Sequence, residues 1–252
     1  MLVKCNNVIP SINGVKMGYV VDPYNPLRLP PFTIRIRLDY GYSPVNWKGT
    51  YKQVSASPNI WDCTYVNTSW NRLFYNGWHG WDYLREVVGA NTTDVTDMSS
   101  MFDRCYYLSK VALFDTGNVT TMNQMFEYVN NLTAVPEFNT SKVTNMASMC
   151  RECTSLRRFP LLDVSKVTTF QWMFGDCEYF EEVPLLNISN DVIIRAAVDY
   201  MFYNCTRVKS GALALYDRIK TFNLTHIDTF YNCGSNTVTG AAELAQIPDD
   251  WK

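Results

Sequence analysis

Val119-Thr-Thr-Met-Asn-Gln-Met-Phe-Glu-Tyr-Val129 is followed 24 residues later by Val143-Thr-Asn-Met-Ala-Ser-Met-Cys-Arg-Glu-Cys153. This pair decides the fold, because a fixed period of that length marks a chain assembled from stacked units. The spacing runs in both directions. Val95, Val119, Val143 and Val167 form one column, then Met98, Met122, Met146 and Phe170, then Met101, Met125, Met149 and Met173. Phe102, Phe126, Cys150 and Phe174 come next, followed by Cys105, Val129, Cys153 and Cys177. Leu108, Leu132, Leu156 and Phe180, with Val111, Val135, Phe159 and Val183, close the unit. Met201, Phe202 and Cys205, then Phe230 and Cys233, continue it at a spacing of 28, which places the four extra residues in loops. Upstream, Leu84 and Val87 fit the Leu and Val columns, while Trp78 and Trp81 fit the Phe and Cys columns.

Within a unit, the apolar residues of Met-x-x-Met-Phe-x-x-Cys sit at helical offsets and predict a short helix. The following Leu-x-x-Val/Phe-Pro reads as a brief strand, and the Asp/Asn-Thr-Ser segment as a turn. The expected fold is therefore α/β: a leucine-rich-repeat-like solenoid of 24-residue coils, each a short helix plus a short parallel strand. Such units cannot bury their apolar faces alone, so the ends need caps. Residues 1–83 form a β-rich aromatic N-terminal cap in this reading, 84–233 the solenoid and 234–252 a C-terminal cap. In the first of these, Phe32, Ile34, Ile36, Leu38 and Tyr40 alternate with Thr33, Arg35, Arg37 and Asp39, the pattern of a half-buried strand. In the last, Ala241 to Ile247 reads as one helix stopped by Pro248.

Thr116-Gly-Asn-Val-Thr-Thr-Met-Asn-Gln-Met-Phe126 and Thr140-Ser-Lys-Val-Thr-Asn-Met-Ala-Ser-Met-Cys150 resemble the repeat of BspA-type leucine-rich repeat proteins. The resemblance covers roughly residues 84–233. Its members are surface and adhesion proteins of bacteria, and virion proteins expected in phages that infect them. They share binding surfaces, not catalytic residues. The Val54–Trp70 stretch and the ending Gly240-Ala-Ala-Glu-Leu-Ala-Gln-Ile-Pro248 are similar to the caps of gut-phage versions.

Hydrophobic residues make up 47% and charged residues 18% of the 252, a globular balance, and the net charge of −2 gives no argument for nucleic acid. Residues 1–90 carry nine basic and five acidic side chains, and the rest thirteen and nineteen. No apolar run reaches the ~18–20 residues of a membrane span. Met1 to Val20 holds Asn, Pro and Lys instead of an apolar export core, which predicts folding in a bacterial cytoplasm. Together with the resemblance, this predicts a non-enzymatic phage virion component, a tail or fibre protein engaging a host-surface protein or glycan or another virion protein. The alternative is a bacterial cell-surface adhesin. Oligomeric assembly fits both.

The chemistry-bearing motifs are few. Cys150 and Cys153 have CxxC spacing, yet the repeat already explains both slots, so the cysteines read as a ladder of reduced, buried thiols and no metal or cofactor is expected. His79 and His226 read as turn or surface residues, and no pair of converging carboxylates suggests glycan hydrolysis. Two binding surfaces stand out. The aromatic cluster of residues 40–83 offers Trp47, Tyr51, Trp61 and Trp70 as anchors, since interface hot spots are rich in Trp and Tyr. The outward slots of the brief strands offer Arg157, Arg158, Glu181 and Glu182, whose 24-residue spacing sets them opposite one another on adjacent units. The first is the expected site, because pairing consumes the charges of the second. Met125 and Phe126 are expected in the core, with Glu127 as an exposed neighbour.

Overall fold

The computed structural model describes residues 11–12, 15–16, 29–44, 47, 49–75, 81–188, 197–222 and 224–252. Trp78, His79, Asn223 and most of the segment read for an export signal lie outside them.

Strands β1 (Ser11–Ile12) and β2 (Val15–Lys16) pair antiparallel. Five further strands make one sheet: β3 (Thr33–Leu38), β4 (Thr50–Ala56), β5 (Asn59–Thr64), β6 (Leu84–Asn91) and β7 (Lys110–Val111). Their order is β4-β5-β3-β6-β7, antiparallel except for β6 with β7. β3 is the central strand. Its alternation buries Ile34, Ile36 and Leu38, but Thr33 and Arg35 are buried as well. The register explains this: Arg35 lies opposite Asp62, and its Nε and Nη2 donate to the two carboxylate oxygens at 2.6 and 2.8 Å. A fork-to-fork pair of this kind lets a guanidinium enter a core that would reject it unpaired. One strand over, nearer the surface, Glu86 on β6 is shared by Arg37 at 3.0 Å and Lys110 at 2.9 Å.

The repeat stacks in register, but its units are not the expected coils of helix and strand. Single parallel bridges join Ser69, Asp97, Thr121, Asn145, Thr169, Ala197 and Thr225 in one ladder. The Met-x-x-Met-Phe-x-x-Cys stretches hold consecutive turns and no α-helix. Of the brief strands expected after them, those at Leu84–Val87 (within β6) and Lys110–Val111 (β7) form. Glu182 keeps a single bridge to Ser210, and the segments after Leu132 and Leu156 have none. In each unit two residues four apart have φ between 48° and 62°: Ser100 and Arg104, Gln124 and Tyr128, Ser148 and Glu152, Trp172 and Asp176, Tyr200 and Asn204, Asp228 and Asn232. A helix cannot pass through such residues. Alternate amides leave the unit instead, those of Met98, Ser100, Phe102 and Arg104 donating to Thr121, Asn123, Met125 and Glu127 of the next at 2.8–3.1 Å. Of the amides between them, those of Met101 and Asp103 close turns onto the carbonyl three residues back, and that of Ser99 donates to the Asp97 carboxylate at 2.9 Å. Each left-handed residue costs roughly 1–2 kcal/mol. Four hydrogen bonds per unit at about 1 kcal/mol each, with the burial they enforce, offset that cost. A buried residue every third or fourth position suits a helix and a run of turns equally well, so periodicity alone could not separate them.

The columns still build the core. Phe74, Phe102 and Phe126 stack at 5.4 and 5.6 Å, and Phe174, Phe202 and Phe230 at 5.2 and 5.9 Å. Phe74, on the unit carrying Ser69, fills the slot the sequence reading gave to Trp78, so the stack begins upstream of Leu84. Cys150 interrupts the rings. In the same unit Phe159 stands where other units have Val and packs on Phe174 at 4.8 Å, so one large-for-small exchange offsets the other. Tryptophans close both ends. Trp47 and Trp81 cover Phe74 at 5.2 and 4.9 Å, while Trp251 covers Phe230 at 6.4 Å. His226 is no idle surface residue: it takes the first Met column's slot and stacks on Trp251 at 4.0 Å.

Among the described residues, helices occur only where the repeat is interrupted or ends. Helix α1 (Ala212–Ile219) uses the extra residues before Thr225. It starts at Gly211, where φ is 96° and a Cβ would fall 2.3 Å from the Val183 carbonyl oxygen. Helix α2 (Val238–Leu244) begins three residues before the expected Ala241, because the Thr237 side chain caps it by accepting from the Gly240 amide at 3.0 Å. No helix among the described residues is long and apolar enough to cross a membrane.

Candidate functional site

The four aromatic anchors expected from the sequence separate into two pairs. Trp47 is 8% exposed, donates from Nε1 to the Thr64 carbonyl at 3.1 Å, and is covered by Phe74, Trp81 and Tyr65. Trp70 is fully buried in the first Met column's slot. Neither can touch a partner. The open end of a stacked core needs large flat apolar groups, and these two rings supply them.

On the β4–β5 hairpin Tyr51 is exposed and Trp61 half-buried against the core, the two edge to face at 5.7 Å. Gln53 lies opposite Trp61 in the register, and the Oδ1 of buried Asn59 accepts from both Gln53 and Trp61 at 2.9 Å. Asn59 also donates to the carbonyls of Asp39 and Tyr42, at 2.8 and 2.6 Å, tying the loop after β3 to the hairpin. That loop carries Tyr40, which is 86% exposed, and Tyr42, which stacks on Tyr83 at 4.6 Å. A depression of about 300 Å³ lies among Tyr40, Tyr42, Ser43, Gln53 and Trp61, and a second, of about 210 Å³, on the side of Tyr40 toward Arg37 and Pro58. Tyr40 and Tyr42 fall within the aromatic cluster of residues 40–83 expected from the sequence but were not among its named anchors, and the strand alternation put Tyr40 on the buried face. β3 stops at Leu38, and the turn that follows, with Gly41 at φ 85°, leaves Tyr40 in solvent.

The charged slots also divide. Glu181 accepts from Arg157 at 2.8 Å and from Lys209, one unit further, at 3.1 Å. These two hydrogen bonds hold the Glu181 carboxyl below its usual range. Arg207 lies over the Tyr179 ring at 4.1 Å, completing a polar depression of about 300 Å³. Arg158 and Glu182, one residue further along each strip, have no ion pair among the described residues and edge a different, apolar depression.

Three ladders escaped the sequence reading or were read only in outline. The Sγ atoms of Cys105, Cys153, Cys177 and Cys205 donate to carbonyls of the preceding unit at 3.0–3.2 Å. Burial pushes these thiols well above their ordinary range, and all seven described cysteines are free. Arg151, Trp172 and Tyr200 stack in sequence at 4.5 and 4.4 Å, so both faces of Trp172 are covered. Glu127, expected at the surface, is 4% exposed, accepts from Gln124 and pairs with Arg151 at 3.5 Å. Beside it, burial and then the Glu127 charge push the Asp103 carboxyl up to about 7, against the pull of Arg104 and Arg72. Only the turn geometry, which puts the residue after each Phe between units, could have revealed this slot. Among the described residues no group of three or more His, Cys, Asp or Glu side chains is placed to hold a metal ion.

No curated protein and no solved structure matches the chain. One family model does, described as "Mycoplasma protein of unknown function, DUF285", over residues 68–187, 96–214 and 134–236. The first match begins beside Ser69, the first rung of the bridge ladder. The overlapping matches run unbroken from 68 to 236, about two thirds of the chain, and the chain therefore belongs to the DUF285 family.

Proposed function

We propose that the chain is a non-enzymatic binding module, a tail or fibre component of a phage virion, which holds a host-surface ligand against the aromatic cleft of its N-terminal sheet. The observation that carries this reading is Tyr40, 86% exposed between two depressions and flanked by Tyr42 and Trp61. A ring held in solvent by its loop offers apolar area with a polar tip, which suits a sugar or a partner protein. The rings of the stack cannot do this, because they are spent on one another.

The test is binding of the purified chain to host cells, with Tyr40→Ala and Tyr51→Ala against Arg157→Ala combined with Glu181→Ala. All variants should retain the wild-type melting curve. The aromatic changes should weaken binding at least tenfold and the charge changes little. Loss of binding only with the charge pair would move the site to the strip. The virion setting rests on the likeness of both caps to gut-phage versions, and mass spectrometry of purified particles tests it. The family match supports a second setting, a bacterial cell surface, which labelling of intact cells would reveal.

A further inference from the structure

Arg158 and Glu182 present an imbalance that the rest of the strip does not. Their neighbours Arg157 and Glu181 meet across the same gap at 2.8 Å, and Lys209 joins them. Arg158 and Glu182 are as close in the repeat, are both exposed, and have no ion pair among the described residues. Arg157 and Glu181 line one depression of the strip, and Arg158 and Glu182 edge another on its second side. The second side has one charge pair, Glu86 with Lys110 at 2.9 Å in the same slot of earlier units, and none at Arg158 and Glu182 among the described residues. It carries Phe159, Leu161, Val183, Pro184, Leu185 and Ala214 around a shallow depression of about 490 Å³. Leu161 is 74% and Leu185 49% exposed, large apolar areas left in water one unit apart.

The pattern is self-complementary. One unit offers a cation and a leucine, and the next an anion and a leucine in the same slots. A twofold axis between the two units, perpendicular to the strip, exchanges them. It sets Arg158 of one copy opposite Glu182 of the other, and Leu161 opposite Leu185, twice over. Isologous interfaces have this property, since each contact must occur in duplicate. An apolar centre with a charged rim is also the usual interface anatomy. A translated, parallel pairing would instead bring like charges together or leave both unpaired. We infer that this strip is a self-association surface, and that its occupant is a second copy of the chain in antiparallel register. The inference is independent of the aromatic cleft, which lies on the N-terminal sheet.

Sedimentation equilibrium over a concentration series tests it, with circular dichroism and melting curves as fold controls. The wild-type chain should form a dimer. Arg158→Glu and Glu182→Arg should each be monomeric, because each sets like charges opposite one another in both halves. Mixed in equal amounts, the two variants should associate as a heterodimer, since one then carries two anions and the other two cations. Leu161→Asp should be monomeric with an unchanged melting curve. A wild-type chain that stays monomeric at every concentration overturns the proposal. So does a dimer indifferent to all three substitutions, or a mixture of the two charge variants that stays monomeric. Capture of a different protein by the wild-type strip, without self-association, would also sink it.

Discussion

The five-stranded sheet and the turn-built stack bury polar groups by different means, and the difference shows what each region asks of its sequence. In the sheet, neighbouring strands pair through backbone ladders, and charge is placed in cross-strand pairs fixed by register: buried Arg35 with Asp62, and partly exposed Glu86 with Arg37 and Lys110. In the stack, alternate amides leave their unit, and the side chains at each slot meet copies of the same slot. Where the repeat is strict, like meets like there. For phenylalanines and thiols that is favourable, but at the slot of Asp103 and Glu127 it puts two carboxyls together. A sheet chooses its neighbours strand by strand. A repeat inherits them from its period.

The largest effect that would sharpen this comparison is expected at Phe126. Phe126→Ala removes a ring packed between Phe102 and the next unit and should cost about 3–5 kcal/mol by chemical denaturation. Because each unit leans on its neighbours, hydrogen exchange should quicken throughout the stack. In the sheet, Asp62→Ala leaves Arg35 without its carboxylate partner. The expected loss is about 2–3 kcal/mol, below that of a fully dry pair because Asp62 is partly exposed. Faster exchange there should centre on β3 and β5. If both variants loosen the same amides equally, the two regions are one cooperative body and the contrast fails.

A smaller effect tests the volume exchange between columns. Cys150→Phe restores the ring ladder but overfills its unit, costing about 1–3 kcal/mol. Adding Phe159→Val should recover most of that loss. A double variant no better than the single one would mean that Phe159 does not fill the space left at Cys150.

The smallest effects concern pH, where the regions should have opposite signs. Burial raises Asp103 from an ordinary value of 3.8 to about 7, so its contribution to stability is full below about pH 4 and is lost as pH rises through about 7. Burial also raises Glu152, followed by the Asp176 charge, and it acts in the same direction. Burial pushes Glu86 upward too, yet hydrogen bonds from Lys110 and Arg37 outweigh it and the carboxyl is lowered. Its contribution is present above 4.5 and is lost as pH falls through its folded value. Melting curves across pH should therefore show Asp103→Asn removing part of the loss toward neutrality, and Glu86→Gln removing part of the loss in acid. The same slope for both variants would show that the carboxyls do not titrate as their surroundings dictate.

The columns were legible in the sequence because burial repeats whenever geometry repeats. Met125, Phe126, Cys153 and Leu156 could be placed in the core without knowing what backbone carries them. The pairing of Arg157 with Glu181 was legible for the same reason, since a 24-residue period sets them side by side. Three features were decided only by the tertiary structure. The backbone of the unit is turns and not helix, because its amides find acceptors in the next unit, which no local propensity encodes. Trp47 and Trp70 are plugs while Tyr40 is exposed, because a ring's exposure depends on where the core ends and not on its neighbours in sequence. Arg158 and Glu182 form no ion pair among the described residues although their spacing matches that of Arg157 and Glu181, because they edge a different, apolar depression. Period fixes which residues share a slot, and the folded surroundings decide what that slot is worth.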